Sequence, residues 1–104
     1  MISVSIKTHQ SEILELWIHG HANAAPHGED LVCAGVSTVA IGLLNAMQEL
    51  APDTCQLLMG ENETRIQVTT VTDTNQLILK IGCIQLETIE NSYKKFIRIK
   101  KQEV

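Results

Sequence analysis

The sequence predicts an α+β domain, a two-layer sandwich in which a mainly antiparallel sheet carries two helices on one face. Three observations predict it. Short segments near both ends and in the middle of the chain alternate apolar with polar residues, the period of half-buried strands. Two longer segments, one after Gly28 and one from Asp73, switch to apolar spacings of three and four, the period of helices packed on one side. The chain has 104 residues, 44% of them apolar and 19% charged, enough for one core but not for two. Residues 1–104 are therefore read as a single domain.

The first strand is expected over Ile2 to Lys7, where Ile2, Val4 and Ile6 point one way and Ser3, Ser5 and Lys7 the other. A turn through His9-Gln10-Ser11-Glu12 leads to a second strand, in which Leu14, Leu16 and Ile18 alternate with Glu15, Trp17 and His19. The two are expected to pair as an antiparallel hairpin. A small, proline-broken loop, Asn23-Ala24-Ala25-Pro26-His27, separates them from the first helix.

That helix is expected from about Asp30 to Leu50, with Val32, Val36, Val39 or Ala40, Leu43, Met47 and Leu50 on its apolar face, ending before Pro52. Cys55 to Met59 reads as a short strand, Gly60-Glu61-Asn62-Glu63 as a turn, and Arg65 to Val71 as another strand. Asp73 opens the second helix, with Leu77, Ile78, Ile81, Ile84 and Ile89 at near-helical intervals. Gly82 inside it costs about 1 kcal/mol relative to alanine, so it is expected to mark a close helix-helix contact, within the chain or across a dimer. Ile97 and Ile99 end the chain as a strand.

The charge balance narrows the partners. A net charge of −4 argues against nucleic acid as a direct partner, because phosphate binding rests on Lys and Arg. Lys94, Lys95, Arg98, Lys100 and Lys101 nevertheless cluster at the C-terminal end. They are read as an edge strand guarded by lysines, with a weak docking surface for an acidic partner, or for ribosomal RNA near a substrate, as the sharper reading. The N-terminus lacks the long apolar region of a signal peptide, and no apolar run is expected to reach the ~20 residues of a membrane span. Three cysteines without paired spacing suit a reducing compartment; a cytoplasmic protein without cofactor is the expectation.

Chemistry is concentrated in one stretch, Gly20-His21-Ala22 and Gly28-Glu29-Asp30-Leu31-Val32-Cys33-Ala34-Gly35-Val36-Ser37. Cys33 falls in the opening turn of the first helix, where unpaired N–H groups favour a thiolate. A histidine brought within reach takes the thiol proton and later protonates a leaving amine. His21 reaches only if the loop doubles back, and Gly20 and Gly28 flank that loop as candidate hinges. Asp30 stands where an N-cap belongs, or orients the imidazole as the third group of a triad; Ser37, one turn below Cys33, bonds a backbone carbonyl or steadies the site. The N–H of Cys33 is a candidate oxyanion donor. If the second strand stays extended through Gly20, Trp17, His19 and His21 share one side, which would bring Trp17 near the site.

The pairing of Gly20-His21-Ala22 with Gly28-Glu29-Asp30-Leu31-Val32-Cys33-Ala34-Gly35-Val36-Ser37 resembles the bacterial ribosomal-processing cysteine protease family, Prp. The resemblance implies His21 and Cys33 as catalytic dyad, with Asp30 and Ser37 as matching motif positions. It also implies a homodimeric enzyme with a glycine-flanked loop over the site. The substrate would be a large-subunit ribosomal protein precursor, whose N-terminal extension is removed after an apolar, aromatic-rich segment. The chain departs from the family near its end, where Asn91-Ser92-Tyr93-Lys94-Lys95-Phe96 stands in place of an aromatic-proline phrase.

Two rival readings come from other classes. His19, His21, His27 and Cys33 supply donors for a tetrahedral zinc site, although their spacing matches no zinc pattern. A non-enzymatic ribosome-assembly or dimerisation module would use the basic C-terminal strand and have no need of a Cys-His pair. Cys55 and Cys83, with no histidine beside them, are read as structural.

Overall fold

The structure, a computed structural model, describes residues 1–20 and 29–104. The expected architecture is present: five strands in one sheet and two helices, in the chain order β1 (Ile2–His9), β2 (Glu12–His19), α1 (Glu29–Leu50), β3 (Cys55–Gly60), β4 (Glu63–Val68), α2 (Asp73–Ser92) and β5 (Ile97–Glu103). Across the sheet the order is β3-β4-β2-β1-β5. Every neighbouring pair is antiparallel except β1 with β5, which run parallel.

β1 and β2 form the expected hairpin, closed by Gln10 and Ser11 at φ 48° and 73°. Two consecutive left-handed residues match the right-handed twist of the strands they join. The alternation read for β2 breaks near this turn. Lys7 faces Glu15 but Thr8 faces Ile13, so Leu14 is bulged out of the ladder and Ile13 takes the core position expected of Leu14. β4 stops at Val68 rather than Val71, because the N–H groups of Thr69 and Thr70 both donate to the carbonyl of Thr54, at 2.8 and 3.1 Å, and turn the chain away.

Ile2, Val4 and Ile6 of β1, Leu16 and Ile18 of β2, Ile66 of β4 and Ile97 of β5 face the helices and are almost fully buried. Against them α1 sets Val32, Val36, Ala40, Leu43 and Met47, as its spacing predicts. Each of the larger side chains, all but Ala40, contributes about 1.5–3 kcal/mol on leaving water, before entropy is counted. Leu50 is exposed and Ala51 is buried in its place.

By length and composition α1 is apolar enough to cross a membrane, contrary to the expectation that no segment is. Its stripe facing the sheet is nonetheless the core of the domain.

α2 corrects the reading of its apolar face. Its buried side is Asn75, Gln76, Ile78, Leu79, Gly82, Cys83 and Leu86, while Leu77, Ile81 and Ile84 are exposed. Polar Asn75 and Gln76 are inside because their hydrogen bonds are made there. Asn75 completes a capping box with Thr72, which accepts from the Asn75 N–H at 3.0 Å while Asn75 Oδ1 accepts from the Thr72 N–H at 3.1 Å. The Asn75 amide also donates to the Thr70 carbonyl at 2.8 Å. The contact expected at Gly82 lies within the chain: a Cβ there would stand 2.6 Å from Cδ1 of Leu43 on α1.

Candidate active site

α1 begins at Glu29, and this moves two assignments. Asp30 is an exposed residue of the first turn rather than the cap. Cys33 is the fifth residue, so its N–H lies past the unpaired groups of the helix start and is spent in the helix ladder. It is not an oxyanion donor. Side chains on a helix lean toward its N-terminus, so the Cys33 sulfur still projects toward the positive end of the helix dipole.

Cys33 is half-buried and packs against the core. It opens onto a cleft of about 210 Å³ between α1 and the end of the sheet. On the helix side the cleft is walled by Cys33, Val36, Ser37, Ala40 and Ile41, on the sheet side by Ile2, Ile18, Met59 and Thr64; Gly20, Gly60, Asn62 and Glu63 also border it. The lining is thus apolar apart from the thiol, the Ser37 and Thr64 hydroxyls and groups at the rim. It suits an extended apolar chain passing the sulfur.

Ser37 shares this wall with Cys33, one helical turn on. The backbone bond expected of it is made by its neighbour instead: Thr38 Oγ1 donates to the Ala34 carbonyl at 2.8 Å.

Gly20 leaves β2 at φ 88°, a conformation side chains other than glycine's rarely adopt. Its N–H donates to the Asn62 carbonyl at 3.1 Å, which anchors the last described residue before the loop to the β3-β4 turn. His21, Gly28 and His27 lie outside the described residues, as does the rest of the loop, so the dyad and the second hinge are not described.

Trp17 is not beside the thiol. Ile18 points into the cleft, and Trp17 and His19 therefore stand on the opposite face of the sheet, away from α1 and α2. There their rings stack with centroids 3.9 Å apart, the Arg65 guanidinium lies 4.4 Å from the Trp17 ring centre, and the Trp17 indole N–H donates to Glu63 at 3.0 Å. His19 and Cys33 thus occupy opposite faces, which separates two members of the zinc set. Among the described residues no group of three or more His, Cys, Asp or Glu is placed to hold a metal ion.

The other thiols sit in different surroundings. Burial pushes Cys83 up to about 11, with Lys101 opposing and Glu87 adding to the shift. Burial also raises Cys55, against a hydrogen bond from Thr54. Both are protonated at neutral pH, as structural cysteines are.

Comparison with known proteins places this arrangement. Residues 1–98 match the family model described as cysteine protease Prp. The chain is 36% identical to the ribosomal processing cysteine protease Prp of Bacillus subtilis, covering 95% of this chain and 96% of that one. With the protein of the same name from Staphylococcus aureus it shares 34% identity, over 95% and 97% of the two chains. Among solved structures it superposes on the Prp protease of S. aureus in complex with a substrate peptide at TM-score 0.85 and 29% identity, covering 98% of this chain and all of that one. The same enzyme with a covalently linked product peptide matches at TM-score 0.86 and 32% identity, with the same coverage. The match over residues 1–98 and the identities of 34% and 36% to these relatives show that the chain belongs to the ribosomal processing cysteine protease family Prp.

Proposed function

We propose that this protease removes the N-terminal extension of a large-subunit ribosomal protein precursor by Cys-His nucleophilic catalysis, with Cys33 as nucleophile and His21 as base and then acid. The observation that carries the reading is the seat of Cys33, at the N-terminal end of α1 over an apolar cleft.

His21 takes the thiol proton while the sulfur bonds to the scissile carbonyl carbon. It then gives that proton to the leaving amine as the C–N bond breaks. A water, deprotonated by the same imidazole, adds to the thioester and releases the acid and the thiol. The loop between Gly20 and Gly28 closes over the peptide. N–H groups of the first helical turn, ahead of Cys33, face the developing oxyanion, and donors of this kind are each worth about 3 kcal/mol to the transition state. Asp30 and Ser37 support the site, Ser37 from the cleft wall it shares with the thiol.

We infer further that the working enzyme is a cytoplasmic homodimer that requires neither membrane nor nucleic acid. Cys33, Cys55 and Cys83 are all free thiols, consistent with a reducing compartment. Leu77, Ile81 and Ile84 form an exposed apolar stripe along the outer side of α2, of the kind a second copy covers.

Incubation of the protein with the precursor's extension peptide, followed by mass spectrometry, tests the reading. Cleavage at one bond with a transient acyl adduct on Cys33 is the expected result. Cys33→Ala and His21→Ala should fold and lose cleavage, whereas Cys55→Ala and Cys83→Ala retain it. A Cys33→Ala protein of undiminished activity would remove the reading.

A further inference from the structure

The two edges of the sheet are built differently. β5 carries Arg98, Lys100 and Lys101, and the Ile99 N–H is taken up by Glu90 of α2 at 2.7 Å. This edge is guarded against pairing by charge and by a side-chain cap. β3, the opposite edge, reads Cys-Gln-Leu-Leu-Met-Gly without a single charge. Leu58 and Met59 are 47% and 62% exposed on it. An uncharged apolar edge is a template for another strand.

What pairs there is indicated by where β3 leads. Met59 and Gly60 border the cleft onto which Cys33 opens. At the other end of β3, Cys55 and Leu57 line a second hollow, of about 310 Å³, with Met47 and Gln48 of α1. Both cavities are bordered by α1 and β3, the first also by Ile2 of β1, Ile18 of β2 and Thr64 of β4, the second also by Ala51, Pro52 and Asp53 after α1. From Cys33 to Gln48 the helix rises about 22 Å, a distance an extended peptide crosses in about six or seven residues.

We propose that β3 is the docking strand for the substrate. An extended apolar segment of the precursor pairs with the free edge of β3, its alternate side chains turned into the space between β3 and α1, and so delivers the scissile bond to Cys33. Met59 is then a specificity-determining residue, because its side chain stands on the cleft side of β3, opposite Thr64 of β4. This rests on the protease reading above and identifies how that site holds its substrate. Main-chain pairing supplies affinity, and the pockets along one face supply the apolar preference.

The test uses the full-length enzyme and synthetic copies of the precursor junction peptide in which each amide in turn is N-methylated. In a paired strand only every second N–H faces the partner. Methylation at alternate amides on one side of the cut should raise KM by about tenfold, the loss of one pairing hydrogen bond, while methylation between them is tolerated. Met59→Glu should raise KM for the unmodified peptide by a similar factor with a smaller change in kcat.

If the unmodified peptide is not cut at all, the protease reading fails. If it is cut but the methyl scan shows no period of two, or Met59→Glu leaves KM unchanged, the docking strand is overturned while the protease reading stands. Met59→Glu converting a dimer to a monomer with unaltered peptide kinetics would assign β3 to an interface between copies, and would likewise overturn the proposal.

Discussion

The carbonyl oxygen of Met1 stands 2.6 Å from the position that a Cβ on Gly20 would occupy. With φ at 88°, Gly20 is therefore fixed twice, by backbone conformation and by the main chain of Met1 just ahead of β1. The chain leaves β2 toward His21 in a direction only glycine permits. Gly20→Ala must either push Met1 aside or turn the exit of β2. We expect a loss of about 2 kcal/mol in urea unfolding, from the left-handed conformation plus the overlap. We also expect peptide cleavage to fall by much more than that loss of stability explains, because the loop is re-aimed. Equal activity per folded molecule would show that the exit direction does not govern the site.

Gln76 closes a gap that the bulge at Leu14 helps to create. β4 pairs with β2 only along Glu15 to His19, leaving the Ile13 main chain beyond the end of that ladder. The Gln76 amide supplies both partners: its oxygen accepts from the Ile13 N–H at 2.7 Å and its nitrogen donates to the Ile13 carbonyl at 2.8 Å. Gln76→Ala should cost about 2–4 kcal/mol in chemical denaturation, for two buried groups left unpaired. In Gln76→Glu the carboxylate keeps the N–H but faces the carbonyl without a proton to donate. Its folded pKa is then raised, so the folded state holds the proton more tightly than the unfolded one. Stability of this variant should fall as pH rises through the carboxyl range, relative to wild type.

Cys83 predicts a loss of stability on the alkaline side. Its thiol is held up to about 11 from an ordinary 9.0 by burial on the inner side of α2. An unfolded chain releases this proton from about pH 9, while the folded chain keeps it until about 11, so stability is full below pH 9 and declines across that interval. Two pKa units correspond to at most about 3 kcal/mol. Unfolding of wild type and Cys83→Ala followed from pH 8 to 11 isolates the contribution of the thiol together with its coupling to Lys101 and Glu87. The variant should be less stable at pH 8, from the cavity it leaves, and should lose less as pH rises. Parallel pH profiles would contradict the assignment.

The order and type of every element were legible in the sequence because period two and period 3.6 are set by burial on one face. The motif around Cys33 was legible for a different reason, since the proposed nucleophile, the helix start and the glycines lie within eighteen positions of each other. What was not legible depends on pairing partners distant in sequence. Leu14 looks like a core residue until β1 and β2 are aligned and one residue proves surplus. Trp17 looks like a neighbour of the thiol until α1 is placed over the face that Ile18 occupies. Asn75 and Gln76 look like surface residues until Thr72 and Ile13 are brought to them. In α2 apolar side chains lie on both sides, and periodicity alone cannot say which side meets the sheet.

That two-sidedness leads to a prediction about assembly. Leu77, Ile81 and Ile84 follow one another at four and three residues, the spacing of a seam between helices. They are 60%, 47% and 62% exposed, while the same helix already buries Leu79, Cys83 and Leu86 against the sheet. A stripe of this kind on a folded chain marks a surface that is covered in use. Ile81→Glu places a charge in its middle without touching the core. In the proposed homodimer it should bury an unpaired carboxylate and shift the monomer-dimer equilibrium toward monomer by at least about tenfold, as read by analytical ultracentrifugation at micromolar protein. The stability of the monomer itself should change by no more than about 0.5 kcal/mol, since a surface residue is exchanged for another. Wild type sedimenting as a monomer at high concentration, or Ile81→Glu remaining a dimer of unchanged affinity, would show that this stripe is not where two copies meet.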